Sequence, residues 1–286
     1  MLPRTGAIYE NCRVLDASGN LLFRAGRKRL DWYLQRDLAK QIDAQTIQLT
    51  FAHKGSGRST EPFYLQEMRN TCVICDSSDT LTLHHIVPAQ YRQHMPEQVK
   101  SHSSHDLLPV CTRCHDAYEH KAGQLKRHLA ECFDAPLLGT GWIDRPDIGK
   151  ARKAAAALLA NNPRIPEHRL SELRHLVHQV SMDRRTLFSQ NVQDFLGSAG
   201  NAAENSELLH ELCAMDVRVA GPEFRSHGEM VVGAVLGLRE APGVCDECRK
   251  LVAGGVPAFV RRWRCHFVEH AAPAYLPDHW AVDYSV

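Results

Sequence analysis

Hydrophobic and polar positions near the start of the chain predict strands around one helix. A run of turn formers at residues 16–20 separates two apolar stretches, which indicates a β-hairpin over residues 7–23. Apolar residues then recur close to the helical period over 29–42, and they alternate with polar ones over 46–51. We therefore expect a small β-rich region of hairpin, helix and strand in residues 1–60.

The middle of the chain shows a second alternation of strand and helix patterns. Residues 80–87 are typical of a strand, a short strand is expected just before Cys111, and 115–132 has the apolar period of a helix. The predicted order is strand, loop, strand and helix, in a module that spans residues 61–135.

The remainder, residues 136–286, has a helical character, and prolines and glycines separate its segments. We expect a helical C-terminal domain and an α+β protein overall. The predicted helices cover residues 151–160, 167–180, 183–196, 206–215, 224–238 and 258–270.

Composition and charge exclude few classes of function. The 286 residues are 44% hydrophobic, and 34 Lys and Arg balance 33 Asp and Glu, so any nucleic-acid surface must be local. The N-terminus lacks the pattern of a secretory signal, and the longest apolar stretch is too short to span a bilayer. We expect a soluble, intracellular protein without a membrane partner, while nucleus, cytoplasm and mitochondrion all remain open, as does homo-oligomerisation.

Ten cysteines without a secretory signal favour reduced thiols, and four of them form two CxxC pairs. Cys72 with Cys75 and Cys111 with Cys114 would offer four thiolates, the shell that structural zinc prefers. The long interval of residues 76–110 suggests that a functional element lies between the two pairs.

Two adjacent histidines lie inside that interval. Neighbouring strand residues point to opposite faces, so His84 and His85 should have different roles, one as a ligand and one in the reaction. His115 follows the second CxxC pair and falls in the first turn of the predicted helix.

Together these residues resemble the HNH (ββα-metal) nuclease family, through the CxxC, His-His-Ile-x-Pro, Asp-Leu and CxxCH elements. The resemblance implies that His84 and His115 hold a catalytic divalent ion and that His85 is the general base. Mg²⁺ or Mn²⁺ is favoured for that ion, with Zn²⁺ or Ni²⁺ as alternatives. Asp106 stands where the family most often has Asn.

Asp106 is a second candidate catalytic residue, with two roles left open. Its carboxylate could orient His85 and raise the pKa of that histidine, moving the pH optimum upward. Alternatively, a backbone carbonyl near Asp106 holds His85, and the carboxylate supplements the metal ligands.

A wider similarity covers residues 7–283, including Cys12-Arg13-Val14, Tyr91-Arg92 and Arg262-Trp263-Arg264-Cys265-His266. These segments look like the C-terminal half of the exonuclease 3'-5' domain-containing protein 2 family. The exonuclease domain of that family would precede Met1, so its exonuclease activity is not carried over.

The resulting hypothesis is a metal-dependent endonuclease that hydrolyses phosphodiester bonds of DNA or RNA, with Arg92, Arg113 and Lys121 as candidate phosphate contacts. The alternative is a catalytically inactive zinc module that binds nucleic acid or another protein.

A second zinc site is a weaker hypothesis. Cys245, Cys248 and Cys265 with His266 lack a clear second knuckle, and the acidic residues between the first two suit a helix start. We expect Cys12, Cys132 and Cys213 to be isolated thiols.

Overall fold

The computed structural model describes residues 6–52, 61–101, 103–185, 188–197, 205–240 and 245–285. The protein has the predicted α+β class. It divides into two compact units, Met1–Leu138 with Ser226–Val286, and Gly139–Arg225. The predicted division into three regions, with boundaries at residues 60 and 135, concerns which parts fold independently, and it stays a prediction. Within the described ranges, no helix is both long and apolar enough to cross a bilayer.

A four-stranded sheet begins the first unit, with strand order β2–β1–β4–β3. β1 and β2 form the predicted hairpin, and β1 also pairs in parallel with β4. The side chains that form the core of this sheet are Cys12, Val14, Leu22, Leu30, Ala39, Ile47 and Leu49. The bounds are β1 Cys12–Leu15, β2 Leu21–Ala25, α1 Arg27–Leu34, β3 Ala39–Asp43 and β4 Thr46–Leu49.

The helix predicted over residues 29–42 is wrong in its second half, where β3 replaces it. Asp37 lies in the left-handed backbone region, with φ of 55°, so the helix cannot continue through it. The helical pattern would bury Ile42, but this residue is 55% exposed. A run of apolar spacings over ten or so residues does not fix where a helix ends.

Two antiparallel strands and a long helix form the centre of the first unit. β5 Leu81–His85 pairs with β6 Leu107–Cys111, and α5 Thr112–Cys132 follows β6 without a loop. Helix α5 therefore begins three residues before the predicted start, with Cys111 as its N-cap. The short elements around these strands are α2 Pro62–Leu65, α3 Ala89–Arg92, α4 Glu97–Ser101 and a 3-10 turn at Ser103–Asp106.

Two late helices complete the core around α5. They are α10 His227–Val235 and α11 Asp246–Ala271, and α11 is interrupted at Gly255, where φ is 63° and ψ is −155°. Phe259, Trp263 and Phe267 of α11 are buried in the core that also holds Leu125 and Leu129 of α5.

A glycine allows α10 to pack closely against α3. A Cβ atom at Gly228 would overlap the backbone carbonyl of Gln90, so a side chain there would force the two segments apart. The close approach places α10 directly beside the loop that follows β5.

The second unit contains four helices and a two-stranded antiparallel sheet among its described residues. Its core includes Ala151, Ala155, Val177, Leu208 and Leu212. The bounds are β7 Thr140–Asp144, α6 Pro146–Leu159, α7 Glu167–Asp183, α8 Gln190–Gly197, α9 Ser206–Ala214 and β8 Arg218–Arg225.

The sheet of β7 and β8 corrects the purely helical prediction for this region. Residues 224–225 belong to β8, so the helix predicted over 224–238 begins at His227. Pro222 lies within β8, and a proline is tolerated there because either strand of a two-stranded sheet is an edge. The helix predicted over 183–196 is also shorter and begins at Gln190, and residues 186–187 lie outside the described part.

Candidate metal centre and nuclease site

Two histidines face each other where β5 meets the start of α5. His84 is 4% exposed, and the centroid of its ring lies 4.9 Å from that of His115. Strand pairing places His84 opposite Leu108, while His115 is held one turn into α5 because the helix starts directly after β6. A strand residue and a helix residue far apart in sequence thus converge on one point.

Glu119 joins the two histidines and was missed by sequence reasoning. Its Oε1 lies 3.6 Å from Nε2 of His115, and the ligand atoms of His84, His115 and Glu119 all lie within 4.8 Å of one another. Residues four apart share a helix face, so the His-x-x-x-Glu spacing in α5 was a usable signal. The cluster offers two imidazoles and one carboxylate.

The environment of His84 fits a metal ligand. Its Nε2 is buried, and no described residue forms a hydrogen bond with it. Phe267 stacks on the ring at 5.6 Å between centroids, and Tyr118 meets it edge-on at 5.2 Å. Because a buried nitrogen without a partner is costly, an ion would satisfy an atom that the protein leaves unsatisfied.

The surroundings of His84 and His85 keep both of these imidazoles neutral. Burial, together with the charges of His115, His85 and Lys126, lowers the pKa of His84 to about 3. Burial and the neighbouring Arg92 lower the pKa of His85 to about 4, although Asp106 acts in the opposite direction. The predicted upward effect of Asp106 on His85 therefore exists but is outweighed.

The carboxylate of Asp106 binds an arginine from a distant part of the chain. Arg264 donates from Nε to Oδ1 at 2.6 Å and from Nη2 to Oδ2 at 2.9 Å, and both residues are buried. The backbone carbonyl of Asp106 accepts from the N–H of Ile86 at 2.9 Å, next to His85. The Asp106 side chain thus binds Arg264 and does not belong to the cluster of His84, His115 and Glu119.

Burial alone would raise the pKa of Asp106, but hydrogen bonds and charge from Arg264, with a contribution from His105, hold it below its usual value. Arg264 also donates from Nη1 to the carbonyls of Tyr284 at 2.6 Å and Val282 at 3.2 Å. The ion pair therefore ties the start of β6 to α11 and the C-terminal tail.

The four cysteines of the two CxxC pairs converge as a separate group. Their Sγ atoms all lie within 4.8 Å of one another, and Cys75 and Cys111 are 3.7 Å apart. Four thiols at these distances match the tetrahedral shell of structural zinc, in which ligand atoms lie about 3.8 Å apart for bonds of about 2.3 Å. The group fits a closed zinc site.

Local backbone explains how the first pair turns. Asp76, directly after Cys75, has φ of 62°, and its N–H bonds the carbonyl of Cys72 at 2.9 Å. Arg69 holds the carboxylate of Asp76 at 2.8 and 3.0 Å. The second pair lies at the N-cap and third position of α5, where helix N–H groups favour thiolates.

The three predicted phosphate contacts differ in their placement. Arg92 lies beside His85 and donates from Nε to the carbonyl of Val87 at 3.1 Å. Arg113 and Lys121 are exposed on α5, but helix geometry turns them about 160° and about 120° away from His115. Lys126, which the sequence analysis did not single out, lies 3.3 Å from Glu119 and thus shares the face of the cluster.

Comparison with known proteins finds relatives along almost the whole chain. Exonuclease 3'-5' domain-containing protein 2 from Mus musculus is 28% identical over 99% of this chain, and that from Homo sapiens is 27% identical over 99%. Protein RRP6-like 3 from Arabidopsis thaliana is 34% identical over 97%. No protein-family model matches the chain, and no solved structure gives a significant match.

The chain spans only about two fifths of these relatives, at 39% of the mouse protein, 41% of the human one and 40% of the plant one. The similarity predicted from the motifs to the exonuclease 3'-5' domain-containing protein 2 family is confirmed. The match supports a nuclease-related family.

Proposed function

We propose that this chain is a metal-dependent HNH-type endonuclease that hydrolyses phosphodiester bonds of nucleic acid, with His85 as the general base. The observation that carries the proposal is the convergence of His84, His115 and Glu119 within 4.8 Å, beside a half-buried His85 on the same strand. Similarity to relatives named for a nuclease domain supports the same class of substrate.

His84, His115 and Glu119 would hold one divalent ion. Imidazole and carboxylate together suit several metals, so Mg²⁺ or Mn²⁺ is favoured while Zn²⁺ and Ni²⁺ remain alternatives. A bound ion would stabilise negative charge on the phosphate and on the departing 3' oxygen. Glu119 adds a carboxylate to a pair of imidazoles, which makes the site better suited to a hard cation than the histidines alone.

His85 would take the proton in the attack step. The oxygen of a water molecule bonds to phosphorus, the bond from phosphorus to the 3' oxygen breaks, and the water proton passes to the His85 imidazole. His85 is the last residue of β5, so its ring lies at the end of the strand and is more exposed than that of His84. Ile86, the next residue, is held by the carbonyl of Asp106.

Arg92 and Lys126 are the proposed phosphate contacts. Nε of Arg92 donates a hydrogen bond to the backbone carbonyl of Val87, which fixes the guanidinium near His85. The terminal nitrogens of the guanidinium would then bind phosphate oxygens. Lys126 would approach the same phosphate through its place beside Glu119. Asp106 acts as a positioning residue, since its carboxylate binds Arg264.

Three substrates and one matched pair of variants test the proposal. Purified full chain is incubated with closed circular plasmid, single-stranded DNA and RNA in Mg²⁺ or Mn²⁺. His85→Ala should reduce cutting by about 10²- to 10⁴-fold, the usual contribution of a positioned base. His120→Ala removes an exposed histidine of α5 and should leave the rate unchanged. Zinc content and nucleic-acid affinity should be equal in all three proteins.

The plasmid separates the proposed activity from that named in the relatives, because a closed circle has no end for an exonuclease. Nicking that His85→Ala abolishes supports the endonuclease. Equal degradation by wild type and His85→Ala in Mg²⁺, Mn²⁺, Ni²⁺ and Zn²⁺ would identify a contaminant. Tight nucleic-acid binding without any cutting would instead establish the catalytically inactive module.

A further inference from the structure

A second group of metal-binding side chains lies away from the nuclease site, where α5 ends and α11 begins. His128 and Cys132 come from α5, and Cys245 and Cys248 come from the start of α11. The four ligand atoms all lie within 4.8 Å of one another. Sequence reasoning missed His128 and placed Cys132 among the isolated thiols.

We propose that His128, Cys132, Cys245 and Cys248 bind a second structural zinc ion. Zinc prefers four ligands drawn from thiolates and imidazoles, and bonds of about 2.0 to 2.3 Å place such ligand atoms about 3.6 Å apart. Sγ of Cys132 lies 3.5 Å from Nε2 and 3.9 Å from Nδ1 of His128, and 3.0 Å from Sγ of Cys245. These contacts of Cys132 lie within about 1 Å of that spacing, and all four ligand atoms lie within 4.8 Å of one another.

The backbone around this group repeats that of the first zinc site. Cys245 is the N-cap of α11 and Cys248 its third residue, as Cys111 and Cys114 are for α5. In both places a CxxC pair spans a helix N-terminus, where free N–H groups and the helix dipole favour thiolates. The repetition distinguishes the second pair from two cysteines that merely meet in a core.

The two ligands on α5 are four residues apart, so they share one helix face. Glu247 adds a partner of the kind that zinc-bound histidines use, with Oε2 at 3.2 Å from Nε2 of His128. Both ring nitrogens of His128 lie near Cys132 Sγ, so either is close enough to serve as the ligand atom. Arg262 in turn holds Glu247 at 2.5 Å, so the outer partner is itself fixed.

The structure does not bring together the zinc ligands considered from the sequence, namely Cys245, Cys248, Cys265 and His266. Cys265 is absent from the group, and Nδ1 of His266 lies 3.0 Å from the hydroxyl of Tyr118. The ligands come from two helices, and Cys132 and Cys245 are 113 residues apart in the sequence. A knuckle within one stretch of sequence was the wrong pattern to look for.

A zinc ion here would fix α11 against α5. Beyond the break of α11 at Gly255, Arg264 binds Asp106 and Phe267 stacks on His84, so the later part of this helix contacts both sides of the nuclease site. The ion would act as a clamp that supplies folding free energy, since a structural metal binds the folded state much more tightly than the unfolded chain.

Metal analysis of the full chain tests the proposal. Freshly purified wild type should contain one more zinc per chain than Cys245→Ser, as measured by elemental mass spectrometry. Cys265→Ser is the matched control, because it removes a thiol of the same helix that lies outside the group. It should retain the zinc content of wild type.

A second variant keeps the test valid if Cys245→Ser folds poorly. His128→Cys replaces one zinc ligand by another and should keep the zinc, whereas His128→Ala should weaken it. After cobalt substitution, wild type and His128→Cys should differ in the visible bands that report sulfur ligation.

The closeness of Cys132 and Cys245 also defines the result that would overturn the proposal. If the two form a disulfide, intact non-reduced protein is lighter by the mass of two hydrogens and Cys245→Ser loses no zinc. Equal zinc in wild type and Cys245→Ser, with or without that disulfide, refutes the clamp. Neither result tests whether His85 is the general base.

Discussion

Replacing Asp106 by Ala should destabilise the protein more than loss of any exposed carboxylate. Asp106 is 6% exposed and Arg264 is 2% exposed, and they share two hydrogen bonds of 2.6 and 2.9 Å. Among the described residues, the substitution leaves the buried guanidinium with the carbonyls of Val282 and Tyr284 as its remaining partners. Removing one partner of a buried ion pair costs about 3–5 kcal/mol, because the other charge stays desolvated.

Urea unfolding at constant excess zinc measures the loss as a change in the free energy of unfolding, followed by tryptophan fluorescence. Asp283→Ala is the matched control, since Asp283 pairs with Arg261 on the same helix at the surface. It should change the free energy of unfolding far less, because exposed pairs contribute little. An Asp106→Ala variant no less stable than Asp283→Ala would refute the reasoning.

The pH dependence provides a second check with a defined sign. The pKa of Asp106 is lowered in the folded protein, so its contribution is present above the unfolded pKa of about 3.9 and is lost as the pH falls through the folded value. The stability difference between wild type and Asp106→Asn should therefore be constant from pH 7 to 5 and should shrink below about pH 4. A difference that grows in acid contradicts the ion pair.

Three further changes follow from the geometry. Cys72→Ser should lose one zinc and destabilise the fold in thermal denaturation, whereas Cys265→Ser should not. Gly228→Ala should cost about 1–3 kcal/mol through overlap with a backbone carbonyl, while Gly233→Ala on the same helix, with open space around its Cβ, should stabilise by up to about 1 kcal/mol. Glu119→Gln should raise the Mn²⁺ concentration needed for half-maximal cutting by about tenfold or more, and an unchanged requirement would remove Glu119 from the metal ligands.

The sequence by itself was sufficient for the local pieces of this protein. The hairpin of β1 and β2, the strand with His84 and His85, and helix α5 all follow from short apolar periods and turn residues. The two CxxC pairs of the four-cysteine group were also readable, since the spacing of each pair is itself the chemical signal. His115 could be placed because it directly follows Cys114.

Tertiary structure decided which distant residues meet. Glu119 looks like any surface acid of a helix until β5 brings His84 to the same face. The carboxylate of Asp106 looks free to meet His85 or the metal until Arg264 reaches it from α11. The second group proposed to bind zinc joins Cys132 to Cys245, so neither half carries the signal alone. Periodicity describes one segment at a time, whereas a ligand set depends on how segments pack, and packing is fixed by the buried faces of the whole chain.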